Sequence, residues 1–202
     1  IWNRVTAAIS TLLLLLVLIA LFIGYKLATK EQLDDEARID SKRDYLTQIG
    51  QHKVSSQDAP NIVFILYDDM GYGDIGAGAA GSAMIATPNI NRLASDGVVL
   101  TDFHSPSPVC TPSRAGYLTG RLAPRAGLPN VVFPTGSNKG LMFGILTPAD
   151  TNVRLPAEEI TMADTLKAAG YATGMVGKWH IGDRSPSLPN DMGFDSYYGA
   201  LY

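Results

Sequence analysis

Between Val5 and Tyr25 the chain reads VTAAISTLLLLLVLIALFIGY, twenty-one residues without a charged side chain. At about 1.5 Å per residue, a helix of that length spans about 31 Å, the thickness of a bilayer core. No charge gives this stretch a wet face, so a soluble helix is a poor fit. A cleaved signal peptide has a shorter apolar region, roughly 7–15 residues, and ends in a small-x-small site. Phe22-Ile23-Gly24-Tyr25-Lys26 offers no such site. Residues 1–25 are therefore predicted to form a retained single transmembrane helix. Arg4 flanks one side and Lys26 and Lys30 the other, so the positive-inside rule does not orient it.

Residues 26–58 are of a different kind. Six cations (Lys26, Lys30, Arg38, Lys42, Arg43, Lys53) face seven anions (Glu31, Asp34, Asp35, Glu36, Asp40, Asp44, Asp58), and proline is absent. The segment is predicted as a polar helix to about Ile49, then a short linker. A mixed-sign helix bridges or spaces rather than gripping one charged ligand. As a spacer it would lift the following domain by about 36 Å. The alternative is a stalk packing on its own copies through Leu27, Leu33, Ala37, Leu46 and Ile49, a thin apolar seam.

The whole chain carries 16 Lys+Arg against 19 Asp+Glu, a net charge of −3. Nucleic-acid-binding domains show a basic excess, so a nucleic-acid partner is not expected. A single cysteine excludes an intrachain disulfide and the cysteine-rich zinc sites.

From residue 59 onward, strand and helix patterns alternate. Asn61–Tyr67 (NIVFILY) reads as a strand buried on both faces, as in the middle of a parallel sheet. Pro88–Asp96 reads as a helix stopped by Gly97, and Val98–Phe103 as a second strand. Thr161-Met162-Ala163-Asp164 opens a helix as a capping-box variant, running to Ala169 before Gly170. Tyr171–Gly177 is a third strand. Such alternation implies an α/β fold, with ligands bound beyond the carboxyl ends of the strands. Asp68 and Asp69 stand at the end of the first strand. Two adjacent carboxylates repel, and a bound hard cation, Ca²⁺ or Mg²⁺, is the simplest way to keep both ionised. A helix cap or a turn acid is the plainer role for such a pair.

Gly71-Tyr72-Gly73-Asp74-Ile75-Gly76 fits a dinucleotide fingerprint in letters only. Asp68, Asp69 and Asp74 would put negative charge where a pyrophosphate must sit, so nucleotide binding is not expected. Among the histidines, His52 lies in the linker and is expected to be solvated, whereas His104 is assigned a packing or loop role. Gly127–Leu155 shows no clear periodicity and reads as a long loop that shapes a substrate pocket.

Cys110-Thr111-Pro112-Ser113-Arg114-Ala115-Gly116-Tyr117-Leu118-Thr119-Gly120-Arg121 follows a Ser-Pro turn and should enter a helix, with Pro112 in its first turn. A cysteine at that entrance meets the positive end of the helix dipole, which stabilises an anion. A small buried thiol is the plainer alternative. A thiol phosphatase loop has arginine six positions after cysteine, whereas here it comes four after.

This stretch resembles the signature of the formylglycine-dependent (type I) sulfatases, C-x-P-S-R-x-x-x-L-T-G-R, at every fixed position. The resemblance runs from about Pro60 to Tyr202 and includes Asp68-Asp69, Gly177-Lys178-Trp179-His180 and Gly193-Phe194-Asp195. The motif order is most similar to arylsulfatases. It implies an alkaline-phosphatase-like sulfatase fold, present here in part, with residues 59–202 as the N-terminal part of a catalytic domain. It also implies that a maturation enzyme oxidises Cys110 to formylglycine, whose hydrate attacks the sulfur of a sulfate ester. The aldehyde then re-forms and releases sulfate, which a single hydroxyl could not do. Asp68 and Asp69, with residue 110, would hold Ca²⁺ or Mg²⁺. Arg114 would stabilise the nucleophile, Lys178 would contact a sulfate oxygen and His180 would assist proton transfer. Lys178 and His180 would share one side if the strand before them stayed extended. Trp179 would then point into the core, while Arg121 is read as structural.

The implied substrate is a sulfate-ester small molecule or a sulfated glycan. The implied location is extracytoplasmic (periplasmic, extracellular or lumenal) on a membrane anchor. Family members run to several hundred residues, and the later metal ligands of the family have no counterpart here. Two carboxylates leave Ca²⁺ short of its six to eight oxygens, so these residues alone are not expected to be a competent enzyme. Two other readings remain open. One is a phosphonate or phosphodiester hydrolase on the same scaffold. The other is a non-catalytic membrane protein that assembles as a homo-oligomer through its anchor.

Overall fold

The structure, a computed structural model, describes residues 2–28, 34–55, 59–76, 85–148 and 150–202. The apolar stretch forms helix α1, Trp2–Ala28. Between Arg4 and Lys26 it is long and apolar enough to cross a membrane. Among its described side chains, only Ile23 and Lys26 are even half covered.

Helix α2, Glu36–Gly50, starts at Asp35, whose carboxylate accepts from the Arg38 backbone N–H at 3.2 Å. Residues 29–33, including the predicted seam residue Leu33, lie outside the described residues. The helix does not lift the next segment away from itself. It lies along helix α6, Met162–Ala168, and half-buries Ile39, Lys42, Leu46 and Ile49 at helical spacing. Its cations meet buried acids. Arg38 pairs with Glu158 at 3.2 Å and Glu159 at 2.6 Å, and Lys42 pairs with Asp164 at 2.9 Å. Just before the helix, Asp34 accepts from both Arg154 nitrogens (2.9 and 2.6 Å) and from the Ala157 N–H (3.0 Å). The mixed charge pattern is thus spent on intramolecular docking, because each buried carboxylate needs a partner.

Helix α3, Pro88–Asp96, begins with proline in its first turn and ends at Gly97, as its sequence predicts. Helix α4, Cys110–Thr119, ends on Gly120 in the left-handed region (φ 65°). Gly116 lets the Ser-Pro turn lie against α4, since a Cβ there would come within 2.7 Å of Pro106 Cγ. Helix α5, Asn138–Leu146, falls inside the stretch predicted as a loop; Ser137 caps it by accepting from the Gly140 N–H at 3.0 Å. In α6 the capping box forms as expected. The Thr161 hydroxyl accepts from Asp164 N–H, and the Asp164 carboxylate accepts from Thr161 N–H, each at 3.0 Å.

Strand β1, Gly174–Val176, pairs in parallel with β2, Ser196–Tyr198, with Met175 opposite Tyr197. Backbone bonding continues past the strands, from Gly177 N to Tyr198 O, Trp179 N to Ala200 O and His180 N to Leu201 O. Gly199 permits this, because a Cβ there would collide with the Gly177 backbone carbonyl. The core is built from Leu128, Val132, Leu155, Trp179, Ile181 and Met192.

Two predicted strands differ from expectation. Asn61–Tyr67 and Val98–Phe103 form no ladder and are exposed, with Val63 at 81 % and Val98 at 87 %. A strand buried on both faces needs neighbours on both edges, and among the described residues the only ladder is β1–β2. The alternation of the first segment still shows. Ile62, Phe64 and Leu66 line a cavity of about 400 Å³ together with Tyr117, Leu166 and Met175.

Asp195 ties β2 to the residues before β1. Its carboxylate meets Lys167 Nζ at 2.8 Å and accepts from the Thr173 N–H at 2.9 Å. Chiefly through Lys167, its pKa is lowered to about 2. A lowered pKa contributes stability that is full above the unfolded value, about 4, and is lost as pH falls through the folded value. Asp195→Asn should therefore lower the urea midpoint at about pH 6, with the deficit against the parent vanishing near pH 2. A deficit that persists at the acid end would assign it to lost shape rather than lost charge.

Candidate active site

Cys110 is the first residue of α4, with Val109 extended at the cap. Its Sγ lies 3.8 Å from Asp68 Oδ1 and 3.4 Å from Lys178 Nζ. Lys178 in turn donates to Asp68 Oδ2 at 3.0 Å. Arg114 sits one helical turn after Cys110, on the same face. It is buried, approaches Asp68 Oδ1 at 3.6 Å and donates to the Lys178 carbonyl. Three separate pieces of chain therefore converge: the end of the first apolar run, the entrance of α4 and the residues following β1.

The charges sustain each other. The Lys178 hydrogen bond holds the Asp68 carboxyl below the usual carboxylate range, against a smaller desolvation effect and with help from Arg114. Lys178 is pushed up, first by its bond to Asp68, so it stays protonated. His180 is pushed down, first by burial and then by the positive charges of Lys178 and Arg114, so it is neutral near pH 7.

His180 does not continue a strand. Gly177 (φ 116°) and His180 (φ 60°) break the extended run, so the expectation that Lys178 and His180 share one side through simple alternation does not hold. His180 reaches the entrance of α4 through its backbone instead, where its carbonyl accepts from Thr111 Oγ1 at 2.8 Å. Its ring packs edge-on to Tyr202 at 5.1 Å, with Nε2 3.2 Å from the Val132 carbonyl. Trp179 points into the core as expected. Among the described residues, His180 Nδ1 and Arg114 Nε are buried without a hydrogen-bond partner. A buried donor or acceptor left open is costly, and beside a cationic cluster it marks room for a polar ligand.

Asp69 has a left-handed backbone (φ 58°), is exposed, and makes no hydrogen bond or ion pair among the described residues. Asp68 and Asp69 are hard oxygen donors suited to Ca²⁺ or Mg²⁺ in kind. In number they fall short, since no group of three or more His, Cys, Asp or Glu side chains gathers as a metal site among the described residues.

Arg121 takes no part in this cluster. It grips both oxygens of the buried Glu159 at 2.7 Å, beside Arg38, in keeping with the structural role read from its position. Sequence reasoning missed Glu159; the visible signal was an acidic pair inside the otherwise apolar Leu155–Ile160. It also missed Thr111, fully buried, which joins His180 to the Val132 N–H. His104 is exposed and pairs with Asp102 at 2.9 Å, and His52 lies exposed over the Gln48 carbonyl. In the glycine-rich segment, Tyr72–Asp74 makes one 3-10 turn and Ile75 is extended; residues 77–84 lie outside the described residues. The loop assigned to a pocket does border the site at Val132, and Thr135 donates twice to Asp183 at 2.6 Å.

A family model described as Sulfatase matches residues 60–202, and the chain belongs to that family. It is 44 % identical over 145 residues to arylsulfatase A of Homo sapiens, and 43 % identical over 143 residues to arylsulfatase G of Canis lupus familiaris. These matches cover 71 % of this chain and 25 % and 24 % of the relatives, so the chain spans about a quarter of their length. Among solved structures, the PsFucS1 sulfatase from Pseudoalteromonas sp. superposes with a TM-score of 0.57 at 36 % identity. That match covers 82 % of this chain and 29 % of the other. The fold is accordingly of the sulfatase kind and the chain is arylsulfatase-like.

Proposed function

We propose that this chain carries the nucleophile half of an active site that hydrolyses sulfate esters. The observation that carries the reading is the thiol at the α4 entrance. It lies within 3.4 Å of the Lys178 ammonium and one turn from Arg114, whose Nε is unpartnered. Two fixed cations beside an open donor suit a tetrahedral oxyanion. Lys178 and Arg114 donate to its oxygens, and their charge offsets what builds up as the ester bond breaks. His180, neutral because it is buried, keeps Nδ1 open to accept a proton from a hydroxyl at position 110. Asp68 orients Lys178 and keeps it charged.

The reading includes formylglycine at position 110, made from Cys110 by a maturation enzyme. As a hydrate it supplies a hydroxyl nucleophile whose carbonyl can re-form to expel sulfate. Asp68, Asp69 and residue 110 would hold a divalent cation, Ca²⁺ or Mg²⁺, which supplies charge withdrawal from the sulfate oxygens; further ligands are needed to complete it. Helix α1 is read as a membrane anchor that keeps the domain on the extracytoplasmic side. The substrate class is a sulfated small molecule or glycan.

A phosphonate or phosphodiester could use the same cations, so substrate comparison decides between them. With matched aryl esters and a protein that also supplies the remaining metal ligands, turnover of the sulfate should exceed that of the phosphonate. The peptide containing Cys110, taken from mature protein, should show the mass of the aldehyde. Faster turnover of the phosphonate would reassign the reaction. An unmodified thiol together with no turnover of either ester would favour a non-catalytic membrane protein.

A further inference from the structure

The geometry points to helix α5 as an interfacial helix that seats in the lipid bilayer beside α1 and holds the domain close against the membrane; this rests on α1 being the anchor. Three observations lead there. Asp34 is docked onto the domain by Arg154 and the Ala157 N–H. Six residue steps separate it from Ala28, the end of α1, and at most about 3.6 Å each they reach only about 22 Å. The domain therefore cannot stand off from the end of the span. Among the described elements, α1 packs only on α5. The contact lies at the end of the span, where Lys26 Nζ donates to the Thr147 carbonyl at 2.6 Å. Ile23 and Lys26, one turn apart, are the α1 side chains that become half covered among those described.

The third observation is the composition of α5 itself. Phe143 and Gly144 face inward, with Phe143 against Phe133 at 5.9 Å between ring centroids. Leu141, Met142 and Leu146 face outward, exposed by 47, 61 and 74 %. In this nine-residue helix the only charge is Lys139, in its first turn. An apolar strip continuous with the end of a span, with lysines at its margins, suits the zone between headgroups and acyl chains. Phe133 adjoins Val132, whose carbonyl faces the His180 ring, so α5 would also bring the rim of the active site to the lipid surface.

The test places tryptophan on the strip. The full chain carrying Met142→Trp or Leu146→Trp is reconstituted into phosphatidylcholine vesicles, with the parent providing the background from Trp2 and Trp179. Lipid brominated near the headgroup end of its acyl chains should quench the added emission about twofold. Tyr45→Trp on α2, away from the strip, should remain bright. If the protein survives an alkaline wash in the vesicles but neither added tryptophan is quenched beyond the Tyr45→Trp control, α5 does not touch lipid. The anchor would then stand while this inference falls, with protein covering the strip instead. If the wash strips the protein from the vesicles, α1 is not an anchor and both fall together.

Discussion

In a protein that joins this half-site to the remaining metal ligands, replacing Cys110 with alanine is expected to lower the proposed sulfate-ester hydrolysis by at least about 10³-fold, because an alanine methyl cannot be converted to the aldehyde whose hydrate is the nucleophile. The fold should be indifferent to the change. Cys110 is only partly buried, and its Sγ contacts are the long ones to Asp68 and Lys178 rather than core packing. Thermal unfolding and membrane recovery of the variant should therefore match the parent. Cys110→Ser sharpens the test. A serine hydroxyl can attack, but it has no second oxygen on the same carbon to re-form a carbonyl and expel sulfate, so slow or single turnover is expected. Steady turnover by the alanine variant at even about a tenth of the parental rate would remove position 110 from the chemistry.

Replacing Trp179 with alanine is expected to cost about 3–5 kcal/mol of stability, the largest effect foreseen on the fold. The indole is fully buried, stands edge-on to Phe194 at 6.1 Å and donates from Nε1 to the Ser187 carbonyl at 2.8 Å. Truncation leaves a cavity in the core and an unpaired carbonyl. Trp179→Phe keeps most of the packing and loses the hydrogen bond, so about 1–2 kcal/mol is expected. Denaturant unfolding of both variants measures the difference. An alanine variant less than about 1 kcal/mol below the parent would show that the indole is not a core element. Because Trp179 stands between Lys178 and His180, loosening it should also disorder the cationic cluster, and in the completed enzyme the proposed activity should fall faster than the folded fraction.

Elements governed by local chemistry were legible in the sequence. Pro88 and Gly97 bound α3, the Thr161–Asp164 box starts α6, and Pro112 lies in the first turn of α4. Each signal acts within one turn of backbone. The misses are of other kinds. Helix α5 lacks an apolar–polar period because one side faces the domain while the other is also apolar, so only Ser137 hinted at it. Strand β2 is three residues long and exists through its register with β1. Asn61–Tyr67 has the composition of a central strand, but composition does not supply the edges it must bond to.

By itself the sequence determined the apolar span, the caps, the signature around Cys110 and hence the family, all properties of neighbouring residues. Tertiary structure alone decided which groups meet. Asp68 and Cys110 are 42 residues apart and Cys110 and Lys178 are 68 apart, yet one carboxylate, one thiol and one ammonium close into a single cluster. It also decided that α2 docks onto buried acids rather than standing clear as a stalk. Coulomb attraction in a partly desolvated site depends on through-space separation, and that separation exists only after α4, α6 and the β1–β2 ladder have packed.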